Sequence, residues 1–379
     1  MKILFIKDHR GVNGIEGTAL YLLNLCKQLN KINQQYLVLY NFVDNFSDLL
    51  IQNKIHYKHL DFPRFSLFNN FKIFKLKKIR DKINLIIKQE KITHICLQDP
   101  YLQIHINNKY NLPVFCYQHT AFDENFHNKK NFFNIYLYLH RLLKNYYNKS
   151  KNIDKIICVS KASYETSNLI LKIPKSKLLI NKYGVENKNI NLKNKNKDKN
   201  EIIILSVGSI FKAKGVEDFC KVAQITKSKN KHKNLKFIFV GGFRSKSYYN
   251  FIINKYSKYV LFTGLKKDLV QYYSTSDIFL YLSHRESAGL VLMEAMSFKL
   301  KIIASNIFGI NEVIENTKSG ILVDYKNHNE VSNLLMKVIN QPHKSDFMKD
   351  EAYKRFKNNY SIEISTTNFI NILQSFKKK

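Results

Sequence analysis

The chain has 379 residues, 45% hydrophobic and 24% charged, and its 62 Lys and Arg against 29 Asp and Glu give a formal charge of +33. This composition predicts a soluble globular protein of two domains, each able to bury a core. No apolar run approaches the roughly 18 residues of a membrane-spanning helix, and the opening MKILFIKDHRG is too short and too polar for a signal peptide. We therefore expect a cytoplasmic protein.

The positive charge is compatible with three kinds of partner: nucleic acid, an anionic membrane surface or an acidic substrate. A genome that overuses Lys and Asn accounts for part of it, as in the run NKNINLKNKNKDKN, but it does not account for the scarcity of acids. The five cysteines lie far apart without C-x-x-C pairing, which predicts reduced core residues: Cys26, Cys96, Cys116, Cys158 and Cys220.

The first half of the chain begins with a strand, a glycine-rich loop and a helix. Residues 2–7 are apolar, residues 11–17 are rich in residues that tolerate positive φ, and residues 18–29 have helical periodicity. This order is the first unit of a Rossmann-like fold, although such a loop serves tight packing as often as ligand contact. Further buried strands are predicted at residues 36–40, 55–60, 94–97, 114–117 and 155–160.

Two basic helical segments follow in this half. Residues 64–91 place Ile79, Ile83, Ile86 and Ile87 on one face with lysines around them, and residues 131–150 repeat the pattern with aromatic residues. Such helices lie on anionic membranes. They also cover sheets while their lysines face water, so both interpretations stand at this point.

A solvated linker is predicted at residues 187–200, which are rich in Lys and Asn and almost without apolar residues. It separates a first domain, 1–186, from a second, 201–359. The second domain repeats the strand, glycine and helix order, with strands predicted at residues 202–207, 235–240 and 278–282 and a strand with its loop at residues 260–264.

Two carboxylates follow the last of these strands. Glu286 lies in the loop after the strand, and Glu294 lies about one turn into the next helix, which Gly289 precedes. Ligands of open α/β sheets bind at this edge. The first amides of the helix, at Gly289, Leu290 and Val291, suit a phosphate. A carboxylate in the loop can bind sugar hydroxyls and one in the helix can accept from a ribose, and neither role needs a metal.

These residues resemble the E-x7-E signature of retaining, nucleotide-sugar-dependent glycosyltransferases of family 4. The match comprises the two acids and the residues between and after them: Glu286, Ser287, Ala288, Gly289, Leu290, Glu294, Ala295 and Met296. The later segments FGINEVI and GILV agree with it. The resemblance implies an α/β fold of the GT-B type, two Rossmann-like domains facing each other across a cleft, with a C-terminal helix at about 360–379 packing back on the first domain.

The resemblance also implies roles for single residues. Lys214 matches a lysine that contacts the donor diphosphate, but Ser209 stands where the family usually has Arg. Gly264 and Leu265 match the backbone that cradles the nucleobase. In the first domain, Gly14 corresponds to the loop facing the donor phosphates, and Glu16 to an acceptor-side residue. His119 corresponds to a histidine near the reacting carbon, followed here by Thr120 in place of the usual Asp.

The expected activity is retaining transfer of a hexose-type sugar from a nucleotide diphosphate sugar, UDP-sugar favoured, to a glycan or lipid-linked acceptor in cell-surface polysaccharide or lipopolysaccharide synthesis. We expect no metal, no cofactor and no nucleic acid, and a peripheral position on the inner face of the membrane is compatible with the charge. Three alternatives stay open: a GT-B sugar-nucleotide epimerase, a basic nucleic-acid-binding protein, and a catalytically idle homologue.

Overall fold

The computed structural model describes residues 1–8, 17–62, 73–121, 152–188, 201–229, 234–376 and 378. The chain forms two compact units, one of Met1–Tyr183 with Ser365–Lys379 and one of Gly184–Ile364. The units divide slightly before the predicted end of the first domain at 186 and slightly after the predicted end of the second at 359. The reason is that Val185 forms a parallel bridge with Ser361. This bridge holds the residues around 185 and around 361 together within the second unit. Of the predicted linker, residues 189–200 lie outside the described residues.

The first unit contains a parallel sheet with strand order β3-β2-β1-β4-β5-β6-β7. Its strands are β1 Lys2–Lys7, β2 Gln35–Tyr40, β3 Tyr57–His59, β4 His94–Leu97, β5 Val114–Gln118, β6 Lys155–Cys158 and β7 Leu178–Ile180. Its helices are α1 Gly17–Lys31, α2 Asn45–Gln52, α3 Ile73–Gln89 and α4 Lys161–Leu169. The third strand is shorter than the predicted segment 55–60, the other predicted strands agree with the structure to within two residues, and β7 was not predicted.

The strands of this sheet are apolar because both faces are covered. Ile3, Leu4, Phe5 and Ile6 of β1 are fully buried. Phe369, in the C-terminal helix Ile362–Ser375, stacks on Phe5 with ring centroids 5.9 Å apart. The end of the chain therefore contributes to the core of the first unit.

The basic helix α3 covers the sheet. Ile79, Ile83 and Ile87 are buried in the hydrophobic core of the first unit, whereas Lys77 and Lys82 are exposed. The interpretation in which this segment covers the sheet therefore holds for its apolar face. The lysines lie on the face that meets solvent. The second basic segment, 131–150, lies outside the described residues.

The second unit contains another parallel sheet, with strand order β10-β9-β8-β11-β12-β13. Its strands are β8 Glu201–Val207, β9 Asn234–Val240, β10 Val260–Phe262, β11 Ile278–Tyr281, β12 Lys301–Ser305 and β13 Ile321–Val323. Its helices are α5 Val216–Lys229, α6 Lys246–Tyr256, α7 Val270–Thr275, α8 Leu290–Ser297, α9 Ile310–Val313, α10 His328–Asn340 and α11 Asp346–Asn359.

The strand order reverses between β8 and β11. From β8 the chain adds β9 and β10 on one side, and it then returns to add β11, β12 and β13 on the other. The helices after β8 and β11 therefore pack on opposite faces of the sheet, and the loops that lead to them meet in the crevice at its carboxyl edge, where ligands of open α/β sheets bind. The first unit has the same reversal between β1 and β4.

All five cysteines are buried and free, as the sequence predicts. Within the described ranges, no helix combines the length and the apolar character that crossing a membrane requires.

Candidate active site

The loops after β8 and β11 touch each other at the crevice of the second unit. After β8 the chain forms a short 3-10 turn, Lys212–Lys214, and enters α5 through Gly215. Gly215 has φ of 63°, and a Cβ at this position would lie 1.8 Å from the carbonyl oxygen of Leu282. Only glycine permits this approach without strain. The close approach of Gly215 to Leu282 places Lys214 directly beside the end of β11.

Hydrogen bonds fix the contact between the two loops. The amide of His284 donates to the carbonyl oxygen of Ala213 at 3.0 Å. The hydroxyl of Ser283 donates to the same oxygen at 3.2 Å and to that of Arg285 at 2.9 Å. The loop that carries Glu286 is therefore bonded through its backbone to the turn that carries Lys214.

Lys214, Tyr281 and Glu286 form a hydrogen-bonded triad. The Lys214 ammonium lies 2.6 Å from Glu286 Oε2 and 3.2 Å from the hydroxyl oxygen of Tyr281. That hydroxyl donates to Glu286 Oε2 at 2.6 Å. The other carboxylate oxygen, Oε1, accepts from the amide of Ser287 at 3.0 Å. Lys214 and Glu286, both candidate site residues from the sequence, are thus in contact, and Tyr281 is an additional member.

The triad favours the charged forms of its acid and base. Burial alone would raise the pKa of Glu286, but the Lys214 ammonium and the donors from Tyr281 and Ser287 outweigh burial and lower this pKa. Burial alone would lower the pKa of Lys214, but Tyr281 and Glu286 outweigh it and raise that pKa. The pKa of Tyr281 rises, first through burial and then through the Glu286 charge. The pair is therefore an ammonium and a carboxylate, and the phenol is neutral.

Glu294 has a different environment. Its Oε2 accepts a hydrogen bond of 2.7 Å from the hydroxyl of Tyr273, and burial raises its pKa despite this bond and a contribution from Lys188. The Tyr273 ring stacks on Phe298 with centroids 5.3 Å apart. Phe298, at the end of α8, therefore supports the residue that holds Glu294.

The start of α8 lies between the two acids in the sequence. Gly289, with φ of 63°, precedes the helix, and the amides of Leu292 and Met293 make the first bonds to its carbonyl oxygen. The amides of Gly289, Leu290 and Val291 come before this first bond, as at any helix start. Ser287 is half-buried and Ala288 is buried beside them.

A second polar cluster braces the loop after β11. The Asp218 carboxylate of α5 accepts from Nε2 of His284 at 2.6 Å and from Nε2 of His328 at 2.7 Å. Burial would raise the pKa of Asp218, but the two histidines outweigh burial and lower it. The His284 ring also stacks on Tyr325 at 4.4 Å. The cluster connects the Glu286 loop to α5 and α10.

Sequence reasoning missed Tyr281, Tyr273 and the histidine cluster. Tyr281 offered a signal, because it is the one hydroxyl-bearing residue in the apolar run of β11 and stands at the carboxyl end of that strand. Tyr273 and Asp218 offered none, since each comes from a helix that only the fold brings to the site.

The remaining predicted donor residues also lie on loops of the second unit. Ser209 is half-buried in the loop after β8. Gly264 follows β10, and its carbonyl oxygen accepts from the amide of Gly241 at 3.0 Å. Leu265 is 61% exposed. These positions stay a prediction for nucleotide contact.

In the first unit, His119 follows β5 and is buried. It shares a hydrogen bond through Nδ1 with the hydroxyl of Tyr183, and its ring stacks on Tyr117 with centroids 5.4 Å apart. Gly14 and Glu16 lie outside the described residues. In the part of the chain that is described, no group of three His, Cys, Asp or Glu residues is arranged to hold a metal ion.

Two units, each with a parallel sheet whose strand order reverses, agree with the GT-B class of folds. Residues 187–355 match the family model of glycosyl transferases group 1. This match lies within the second unit, and the chain has the α/β GT-B fold.

Curated proteins similar to the chain include the Staphylococcus aureus capsular polysaccharide biosynthesis glycosyltransferase CapM, 21% identical over 201 residues that cover 52% of each protein. The Escherichia coli UDP-Gal:alpha-D-GlcNAc-diphosphoundecaprenol alpha-1,3-galactosyltransferase is 28% identical over 196 residues, 49% of each. The chain thus spans about half the length of these relatives.

Among solved structures, Anabaena Alr3699/HepE in complex with UDP and glucose is similar to the chain with a TM-score of 0.78. The two are 17% identical, and the match covers 99% of this chain and 100% of that one. At this identity the likeness establishes the fold and no more.

Proposed function

We propose that the protein is a retaining, family 4 glycosyltransferase that transfers a hexose-type sugar from a nucleotide diphosphate sugar, UDP-sugar favoured. Its acceptor would be a glycan or lipid-linked glycan of cell-surface polysaccharide or lipopolysaccharide synthesis. The observation that carries the proposal is the triad of Lys214, Tyr281 and Glu286 at the crevice of the second unit, next to the start of α8. The relatives in capsule and undecaprenol-linked glycan synthesis, and the HepE complex with UDP and glucose, support the substrate class.

The leaving diphosphate sets the main chemical demand. Breaking the anomeric bond develops negative charge on it, so donors already aimed at that position lower the barrier. An ammonium has three N–H donors. Tyr281 and Glu286 accept from two of those of Lys214, so one remains for a phosphate oxygen. The amides of Gly289, Leu290 and Val291 supply uncharged donors, and the helix start favours an anion.

The two acids have separate proposed roles. Glu286 is held ionised by Lys214 and is only 15% exposed, so it can accept hydroxyls of the transferred sugar in a fixed orientation. Glu294 uses Oε2 for Tyr273, which leaves Oε1 to accept from a ribose hydroxyl. A hydroxyl donated to Glu294 favours its ionised form and offsets the cost of burial.

The first unit is proposed to bind the acceptor. His119 would contact the transferred sugar near the reacting carbon, with Gly14 facing the phosphates and Glu16 facing the acceptor. The exposed lysines of α3, Lys77 and Lys82 among them, would attract an anionic membrane surface. No metal or nucleic acid takes part in this proposal.

Thermal unfolding with a panel of UDP-, GDP- and ADP-sugars in buffer with EDTA tests the donor site. A ligand at a hundred times its Kd stabilises the folded state by about 2.7 kcal/mol, so we expect one nucleotide class, UDP, to raise the unfolding midpoint of the wild type. Glu294→Ala should lose this shift. Glu351→Ala, which removes a half-exposed acid of α11, is the matched control and should keep it. Failure of every nucleotide to stabilise the wild type would contradict the proposal.

Product analysis then separates the reaction classes. A glycosyltransferase consumes the sugar nucleotide in proportion to acceptor glycosylated, and it leaves the anomeric configuration unchanged. An epimerase would convert the donor without any acceptor. Binding to nucleic acid with a steep salt dependence and no sugar transfer would favour the charge-based alternative.

A further inference from the structure

The proposed donor site lacks one cation of the family pattern, and this inference rests on the proposed function. The family pattern has an arginine where this chain has Ser209, so only Lys214 of that pair is present. A nucleoside diphosphate carries at least two negative charges. Another cation near Ser209, from a different part of the chain, would supply the missing positive charge.

The loop after β9 is locked against the loop that carries Ser209. A Cβ on Gly241 would lie 1.9 Å from the carbonyl oxygen of Gly208, so the two backbones are in direct contact. The amide of Ile210 donates to the carbonyl oxygen of Gly242 at 2.7 Å, and Ile210 forms a parallel bridge with Phe243. The residue after Phe243 is consequently held at the carboxyl edge of the sheet.

That residue is Arg244. Its guanidinium carbon lies 4.5 Å from the centroid of the Phe211 ring. Phe211 is two residues beyond Ser209, and its carbonyl oxygen accepts from the amide of Lys214 at 3.0 Å. Arg244 therefore lies over the side chain of the residue that immediately precedes the turn of Lys214.

The stacking leaves the guanidinium able to bind an anion. Arg244 is exposed, and within the described ranges no carboxylate lies within ion-pair distance of it. A guanidinium stacked on an aromatic ring keeps its N–H groups in the plane parallel to that ring, where they can bind a phosphate in a bidentate manner. We propose that Arg244 provides the second cationic contact to the donor diphosphate, in place of the arginine missing at Ser209.

Calorimetric titration of UDP and of uridine into the wild type and Arg244→Gln tests this assignment. Loss of one charge-assisted phosphate contact should weaken UDP about tenfold and leave uridine, which has no phosphate, unchanged. Lys258→Gln is the matched control, because Lys258 is also an exposed cation stacked on a ring, Tyr259 at 4.9 Å. It precedes β10 and so lies at the opposite, amino edge of the same sheet, where UDP binding should not change.

A rescue variant distinguishes replacement from a general effect of charge. Ser209→Arg combined with Arg244→Gln should recover most of the lost UDP affinity. Equal UDP affinity in Arg244→Gln and Lys258→Gln, with the wild type binding UDP, would refute the role of Arg244 and leave the proposed function intact. A double variant no tighter than Arg244→Gln would also refute it. A wild type that binds no nucleoside diphosphate would refute both proposals.

Discussion

The hydroxyl of Tyr281 can be removed with little other change. In Tyr281→Phe the ring stays in its buried position at the end of β11, where it stacks on Phe279 with centroids 5.9 Å apart. The substitution deletes the bond of 2.6 Å to Glu286 and the acceptor at 3.2 Å from Lys214. It leaves the ion pair of Lys214 and Glu286 in place.

The magnitude follows from the nature of the lost bond. A hydrogen bond to a charged group contributes about 1.5–3 kcal/mol. Because Lys214 still donates to the same carboxylate oxygen, no charge is left unpaired, and we expect the lower end of the range, about 1.5 kcal/mol. Glu286 also loses one of the donors that lower its pKa. Its pKa should therefore rise.

The assay measures sugar transfer and unfolding together. We expect kcat/KM of Tyr281→Phe to fall about tenfold and its acid limb to move to higher pH, because a carboxylate with a higher pKa is protonated earlier on acidification. For the unfolding transition that UDP shifts, the free energy of unfolding should fall by about 1.5 kcal/mol. Tyr259→Phe, at a tyrosine whose ring contacts Lys258, is the control. An unchanged acid limb together with unchanged kcat/KM would refute the reasoning.

Three further predictions concern neighbouring groups. Glu294→Gln should raise the unfolding midpoint at pH 7, because burial raises the Glu294 pKa and ionising this carboxyl costs stability as pH rises. In thermal scans, the difference in midpoint between variant and wild type should disappear below pH 4.5. Asp218→Asn should lower the midpoint at pH 7 by the equivalent of about 1–2 kcal/mol, and the gap should close on acidification below pH 3.8, since the Asp218 pKa is lowered; a constant gap would contradict this. Gly215→Ala should cost more than about 1 kcal/mol in urea unfolding and abolish UDP binding, because its Cβ meets Leu282.

The sequence was sufficient to predict the fold because its main signals are local. Parallel strands buried on both faces appear as short apolar runs, and the predicted run 94–97 is identical to β4. The junction between the units was harder to predict. Val185 pairs with Ser361, a contact between residues far apart in the sequence that no local pattern announces.

The candidate site also contains residues that local sequence patterns predict and residues that only the fold brings together. Glu286 and Glu294 have a fixed spacing on one loop and helix, so the sequence places them relative to each other. Lys214 was predicted from its position before a helix start and from the family resemblance. Tyr273 comes from α7 and reaches Glu294 only because α7 and α8 pack together. The position of Arg244 over Phe211 could not be predicted from the sequence either, because it depends on the contact between the loops after β8 and β9.

The central claim is that Lys214, Glu286 and the start of α8 hold the diphosphate of a nucleotide sugar. The most direct test is calorimetric titration of UDP into the wild type and Lys214→Met, with Lys212→Met in the same turn as the control. The account predicts binding to the wild type and the control, and a loss of at least about tenfold in Lys214→Met. Equal affinity of all three proteins for UDP, or no binding by the wild type, would contradict it.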